Sequence, residues 1–189
     1  MFRRKVGTMA ALVAALVVSS LIAYGNLGPA STSQHASAVA AGRTGTAAIT
    51  AVDYGFVGVP ERVAAGTTFT LVNLSAVEVH ELIAFRLDDG EQRPVAELLR
   101  LPEEEVEAAL GGGRPATVLV APPGAEGFAV VGDGSLTVPG RYALICGIPT
   151  GADPQAYLAA AAAATDGPLQ VAGGPPHFVH GMFAEVVVE

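Results

Sequence analysis

Beyond residue 44 the chain is cut into short β-branched or alternating runs, and nearly every run stops at a proline or a glycine. Residues 44–54 are β-branched and partly alternating, 56–60 continue extended, Gly66 marks a turn, and 67–74 form the next run. After a turn at Ser75-Ala76, residues 77–87 read as another strand, ended by the turn chemistry of Asp88-Asp89-Gly90. By period two His80 shares a face of that strand with Leu82 and Ala84, pointing inward. Strand patterns return at 116–121, 128–131, 142–146 and 182–188, separated among others by Pro122-Pro123-Gly124, Gly132-Asp133-Gly134 and Pro139-Gly140. Many short strands with this punctuation predict an all-β sandwich or barrel.

Three helices interrupt the pattern. Residues 94–101 and 102–110 each open on a proline, and the second carries Glu103, Glu104 and Glu105 in its first turn, where the helix dipole favours negative charge. Gly111-Gly112-Gly113 stops it; without the Lys and Ser/Thr of a phosphate loop the triple glycine is punctuation only. Asp153-Pro154 supplies the cap and first-turn residue of a helix that runs through alanines to Thr165 and closes at Gly167.

At the other end, Arg3, Arg4 and Lys5 precede an uncharged run, 6–24, whose length of about 19 residues approaches the ~20 needed to cross a bilayer. Basic residues ahead of it favour a cytoplasmic N-terminus, so the rest of the chain is expected to be extracytoplasmic. Residues 1–24 are expected to act as a signal anchor; the alternative is a signal peptide, with Ala36-Ser37-Ala38 as the cleavage site and a secreted product. Residues 25–43, rich in Ser, Thr, Ala and Gly, read as a flexible linker, and His35 within it as a solvated side chain. The domain proper is then 44–189. Beyond residue 30, seven arginines face all 18 acidic residues, 7 − 18 = −11, which argues against nucleic acid as a partner and allows steering of a basic one.

Cys146 is the only cysteine, so no intramolecular disulfide can staple an exported domain. It is buried and inert, paired between chains, or bound to metal. The residues around it favour metal. Cys146 ends a predicted strand, His177, His180 and Met182 follow before the last strand, and His80 begins an earlier one. Two imidazole nitrogens, a thiolate and a weak axial thioether make a ligand set suited to copper in an electron-transfer site.

The order His80, Cys146, then His177 and Met182 with Gly181 just before the methionine resembles that of the blue copper proteins, or cupredoxins, plastocyanin among them. The resemblance spans roughly 44–189 and includes Pro139-Gly140-Arg141-Tyr142 leading into the cysteine strand and Pro149 after it. It implies a Greek-key β-sandwich with short helical insertions and one copper ion held by His80, Cys146, His177 and Met182. In plastocyanin-like loops the second histidine precedes the methionine by five positions, which selects His177 and leaves His180 as an alternative ligand or a hydrogen-bond donor behind the ligands. One departure is plain: residues 150–176 stand between Cys146 and His177, where plastocyanin-like sequences have only a few.

The resemblance implies one-electron transfer with a redox partner not identifiable from the sequence. Copper carriage or sensing by the same ligands, and a metal-free interaction module on the same fold, are the alternatives. An enzyme is not expected: there is no Gly-x-Ser-x-Gly elbow and no His-Glu-x-x-His helix, and four histidines in one domain and its linker do not furnish the additional copper centres of a multicopper oxidase.

Overall fold

The computed structural model describes residues 45–163, 169 and 171–189. The expected membrane or signal segment 1–24 and the linker 25–43, with His35, lie outside them. Among the described residues ten strands occur in chain order: β1 Thr46–Val52, β2 Gly55–Val57, β3 Arg62–Val63, β4 Thr67–Asn73, β5 His80–Arg86, β6 Thr117–Ala121, β7 Phe128–Val131, β8 Ser135–Leu136, β9 Gly140–Ile145 and β10 Phe183–Val188. The helices are α1 Val95–Leu98, α2 Glu103–Ala109 and α3 Pro154–Ala163, with a 3-10 turn at His177–His180.

The strands form two sheets, β2-β1-β4-β8 and β3-β10-β9-β5-β6-β7. Within the larger one, β5, β6 and β7 form an antiparallel meander and β9 returns to lie antiparallel beside β5, the spatial order of a Greek key. The architecture is thus an all-β sandwich with short helices, one of the two forms the punctuation allows and the one the resemblance implies.

The two sheets reach the core by different patterns. In β4 the buried residues Thr67, Phe69, Leu71 and Asn73 alternate with more exposed neighbours, so the smaller sheet turns one face inward. In β5 every residue from His80 to Phe85 is buried, and β6 is buried throughout. Both faces of these central strands are covered, one by the smaller sheet and the other by helices, whose Val95, Leu98, Val106 and Tyr157 belong to the same core. Strands covered on both sides read as continuous apolar runs, so period two alone could not tell the faces of β5 apart.

Two strand boundaries differ from the expectation, and the first helix, expected over 94–101, is only Val95–Leu98. The first run does not continue extended through 56–60: it ends at Val52, reverses at Asp53-Tyr54, where Tyr54 takes φ 62°, and returns antiparallel as β2. The strand expected from 77 begins only at His80, because Ser75 Oγ accepts the N–H groups of Val77 (3.3 Å) and Glu78 (3.0 Å) and holds them in a turn. The prolines open α1 and α2 as expected, and Asp153 Oδ1 caps α3 through the Ala156 N–H at 2.7 Å.

Candidate metal centre

The strands β10, β9 and β5 lie side by side, and their ends converge at one end of the sandwich. His80 is the first residue of β5, Cys146 directly follows β9, His177 opens the 3-10 turn, and Met182 immediately precedes β10. All four side chains are buried, none exposing any measurable surface. His177 Nδ1 lies 3.2 Å from His80 Nδ1 and 3.3 Å from Cys146 Sγ, and one donor atom from each of the three residues falls within 4.8 Å of the others.

Backbone hydrogen bonds hold these positions. The Cys146 N–H donates to the Met182 carbonyl at 3.1 Å, the Met182 N–H to the His177 carbonyl at 3.2 Å, and the Phe178 N–H to the Cys146 carbonyl at 2.9 Å. The approach to His80 is fixed by Asn73, buried beneath it. Its Nδ2 donates to the carbonyls of Glu78 (2.8 Å) and Ala121 (3.0 Å), and its Oδ1 accepts the Ser75 N–H at 2.8 Å. A buried amide with its groups paired in this way locks a turn that no strand ladder reaches.

The departure at 150–176 does not separate Cys146 from His177, because its neck is closed. The Thr150 N–H donates to the Pro175 carbonyl at 3.0 Å, the Gly174 N–H to Thr150 at 2.8 Å, and the His177 N–H to Ile148 at 2.9 Å, while Pro149 and Pro176 form a β-bridge. The excursion carrying α3 is pinched off, and His177 sits opposite Cys146 as it would in a short loop.

Residues 177–180 are not extended. They form a 3-10 turn after Pro176, closed by Gly181 at φ 109°. His180 is therefore exposed and outside the three-residue cluster. Its ring lies 5.1 Å from that of Tyr54, which meets the His177 ring edge-on at 5.2 Å.

Burial sets the protonation of the donors. It pushes the His80 imidazole down to about 4, with His177 acting in the same direction. It also lowers His177, against the opposing pull of the Glu78 carboxylate. The Cys146 thiol is pushed up, by burial first and by Glu81 second. At neutral pH both imidazoles are thus neutral, with lone pairs free for a metal, and the thiol keeps its proton until something displaces it.

Glu78 Oε2 lies 3.5 Å from His177 Nε2, near enough to favour a proton there but too far for a hydrogen bond of normal geometry. Among the described residues His80 Nε2 and His177 Nε2 are buried without a hydrogen-bond partner, and the two Nδ1 atoms facing each other at 3.2 Å need a proton or a metal between them. A carboxylate behind the far nitrogen of a histidine is a usual support for a metal ligand. The donor set fits a single copper ion.

Several residues of this region carried no signal in the sequence. Glu78 and Glu81 flank His80, yet nothing local says that both carboxylates lie buried. Tyr157, the one buried residue of α3, stands out in hindsight as the only aromatic in an alanine-rich helix.

No protein-family model matches the chain, and comparison with curated proteins gives no match. Among solved structures the chain is similar to a dithionite-reduced auracyanin from the photosynthetic bacterium Roseiflexus castenholzii, at 15% identity over 78% of this chain and 99% of that one, with a TM-score of 0.42. It is also similar to auracyanin B, at 18% identity over 76% and 88% with a TM-score of 0.38. A third, auracyanin A, a "blue" copper protein from Chloroflexus aurantiacus, gives 18% identity over 76% and 98% with a TM-score of 0.39. The two-sheet architecture stands on this chain's own strand pairing, and the site on its own side chains.

Proposed function

We propose that this chain is an exported mononuclear type 1 copper protein that carries single electrons and is not an enzyme. The observation that carries the reading is the convergence of His80 Nδ1, Cys146 Sγ and His177 Nδ1 in a buried cluster. Copper bound there supplies a one-electron couple. His80, Cys146 and His177 would be the strong donors to a bound copper, and Met182, buried between the 3-10 turn and β10, would add a weaker thioether donor. Strand ends and a closed loop fix these side chains, and burial keeps water from them, so little has to rearrange when one electron passes. The domain is 44–189, tethered to a membrane through residues 6–24 on the extracytoplasmic side. The net −11 beyond residue 30 suits a redox partner with a basic face.

The test is the visible spectrum of the purified full chain after adding Cu(II). One copper per chain and an intense sulfur-to-copper absorption are expected, and Cys146→Ser abolishes the colour. A wild type that binds copper yet stays colourless under oxidising conditions overturns the electron-transfer reading.

A further inference from the structure

The closed neck brings His177 to Cys146 without help from the excursion beyond it, so α3 is not required to span that distance. What α3 does touch is the strand of His80. Glu81 is wholly buried, and its Oε2 accepts the Tyr157 O–H at 2.7 Å while its Oε1 accepts the Gly147 N–H at 3.0 Å. A carboxyl buried among strands is costly unless its oxygens are paired, and here each oxygen has one specific donor. The Gly147 N–H belongs to the same peptide as the Cys146 carbonyl, which accepts the Phe178 N–H at 2.9 Å. That one peptide is therefore gripped from both ends, by Glu81 on one side and by the 3-10 turn of His177 on the other. The Glu81 N–H also donates to Cys146 Sγ at 3.4 Å.

We infer that the excursion is a positioning element for the cysteine: Tyr157, acting through Glu81, fixes the peptide after Cys146 and thereby the direction of the thiol, the copper reading being needed only for what that thiol binds. Glu81 and Tyr157 are positioning residues, reaching the metal donors through Gly147 and the backbone rather than by ligation. The phenol removes most of the freedom of the Glu81 side chain, and the carboxyl removes that of the peptide. A helix inserted far from Cys146 in sequence thus acts on the cysteine's geometry.

The test uses the full chain, first copper-free. Tyr157→Phe keeps the ring and removes one hydrogen bond, so amide exchange at Gly147 is expected to rise about tenfold. The Leu74 N–H, bonded to the Ala51 carbonyl at the opposite sheet, keeps its rate. Glu81→Gln retains an acceptor for Gly147 and a donor for the Tyr157 oxygen, and is expected to exchange as the wild type does. Glu81→Met reads the same contact without touching α3, and frees Gly147 as Tyr157→Phe does. With copper added, Tyr157→Phe shifts the relative intensity of the sulfur-to-copper bands and Glu81→Gln does not. An unchanged Gly147 rate in either Tyr157→Phe or Glu81→Met overturns the inference, so it stays open to refutation if one variant fails to fold. If Gly147 responds but the wild type takes up no copper, the positioning role stands and the copper reading falls; if the protein is coloured and Gly147 is indifferent, only the positioning role falls.

Discussion

Cys146 Sγ lies 3.3 Å from His177 Nδ1 across 31 residues of sequence, and the chain between them leaves and re-enters at a single β-bridge, Pro149 to Pro176. This bridge makes the loop short where the donors are and long only outside them. A Cβ added at Gly173 would meet Pro149 Cβ at 2.5 Å and the Thr150 carbonyl at 3.0 Å, and the proline ring cannot swing away. Gly173→Ala is expected to destabilise the protein by about 1–3 kcal/mol and to speed copper loss. Gly174→Ala, whose nearest neighbour is Thr150 Cβ at 3.4 Å, serves as the mild control. Thermal unfolding and copper release to a chelator measure both; equal behaviour of the two variants would show that the neck does not constrain the loop.

His177 and His180 should separate cleanly on mutation. His177 is buried against Cys146, whereas His180 is exposed at the far end of the 3-10 turn. His177→Ala is expected to destroy or strongly alter the copper absorption. His180→Ala retains it and changes stability by no more than about 0.5 kcal/mol. Bleaching by His180→Ala alone would put the wrong imidazole in the site.

Copper uptake is expected to release about one proton at pH 7, because the thiol raised by burial arrives protonated while His80, lowered to about 4, arrives neutral. Affinity then falls about tenfold for the first pH unit lowered below 7, as one proton competes for the sulfur. Calorimetric titration in two buffers of different ionisation heat counts the proton. Release of none would mean that Cys146 is already a thiolate or is not a ligand.

Glu81 imposes an opposite pH dependence on the copper-free fold. Burial raises its carboxyl from 4.5 to about 7, against the lowering effect of the Tyr157 and Gly147 hydrogen bonds. A raised folded value means that the folded chain holds the proton more tightly, so the stabilisation is complete below about pH 4.5 and is lost as pH rises through 7. The wild type is expected to lose on the order of 2–3 kcal/mol relative to Glu81→Gln between pH 4.5 and 8. Urea unfolding of both chains at pH 5 and pH 8 measures the difference, in which the other titrating groups cancel. A difference independent of pH would show that Glu81 does not titrate in this window.

The sequence by itself determined the class of fold and put forward the candidate donors. Proline and glycine between short β-branched runs leave little besides a sandwich, since each signal acts on its own neighbours. His80, Cys146, His177 and Met182 could be put forward as candidates because soft-metal chemistry needs those side chains whatever surrounds them. Tertiary structure alone decided what is buried and how far apart things lie. Alternation along the chain gives no warning that Glu81 is buried, because the cover comes from Tyr157 on α3, 76 residues away. The loop closure at Pro149 and Pro176, the turn that sends His180 outward, and the orientation of the thiol depend on hydrogen bonds between distant residues. Such bonds leave no period or spacing in the sequence to read, and they are set only when the two sheets and the excursion pack together.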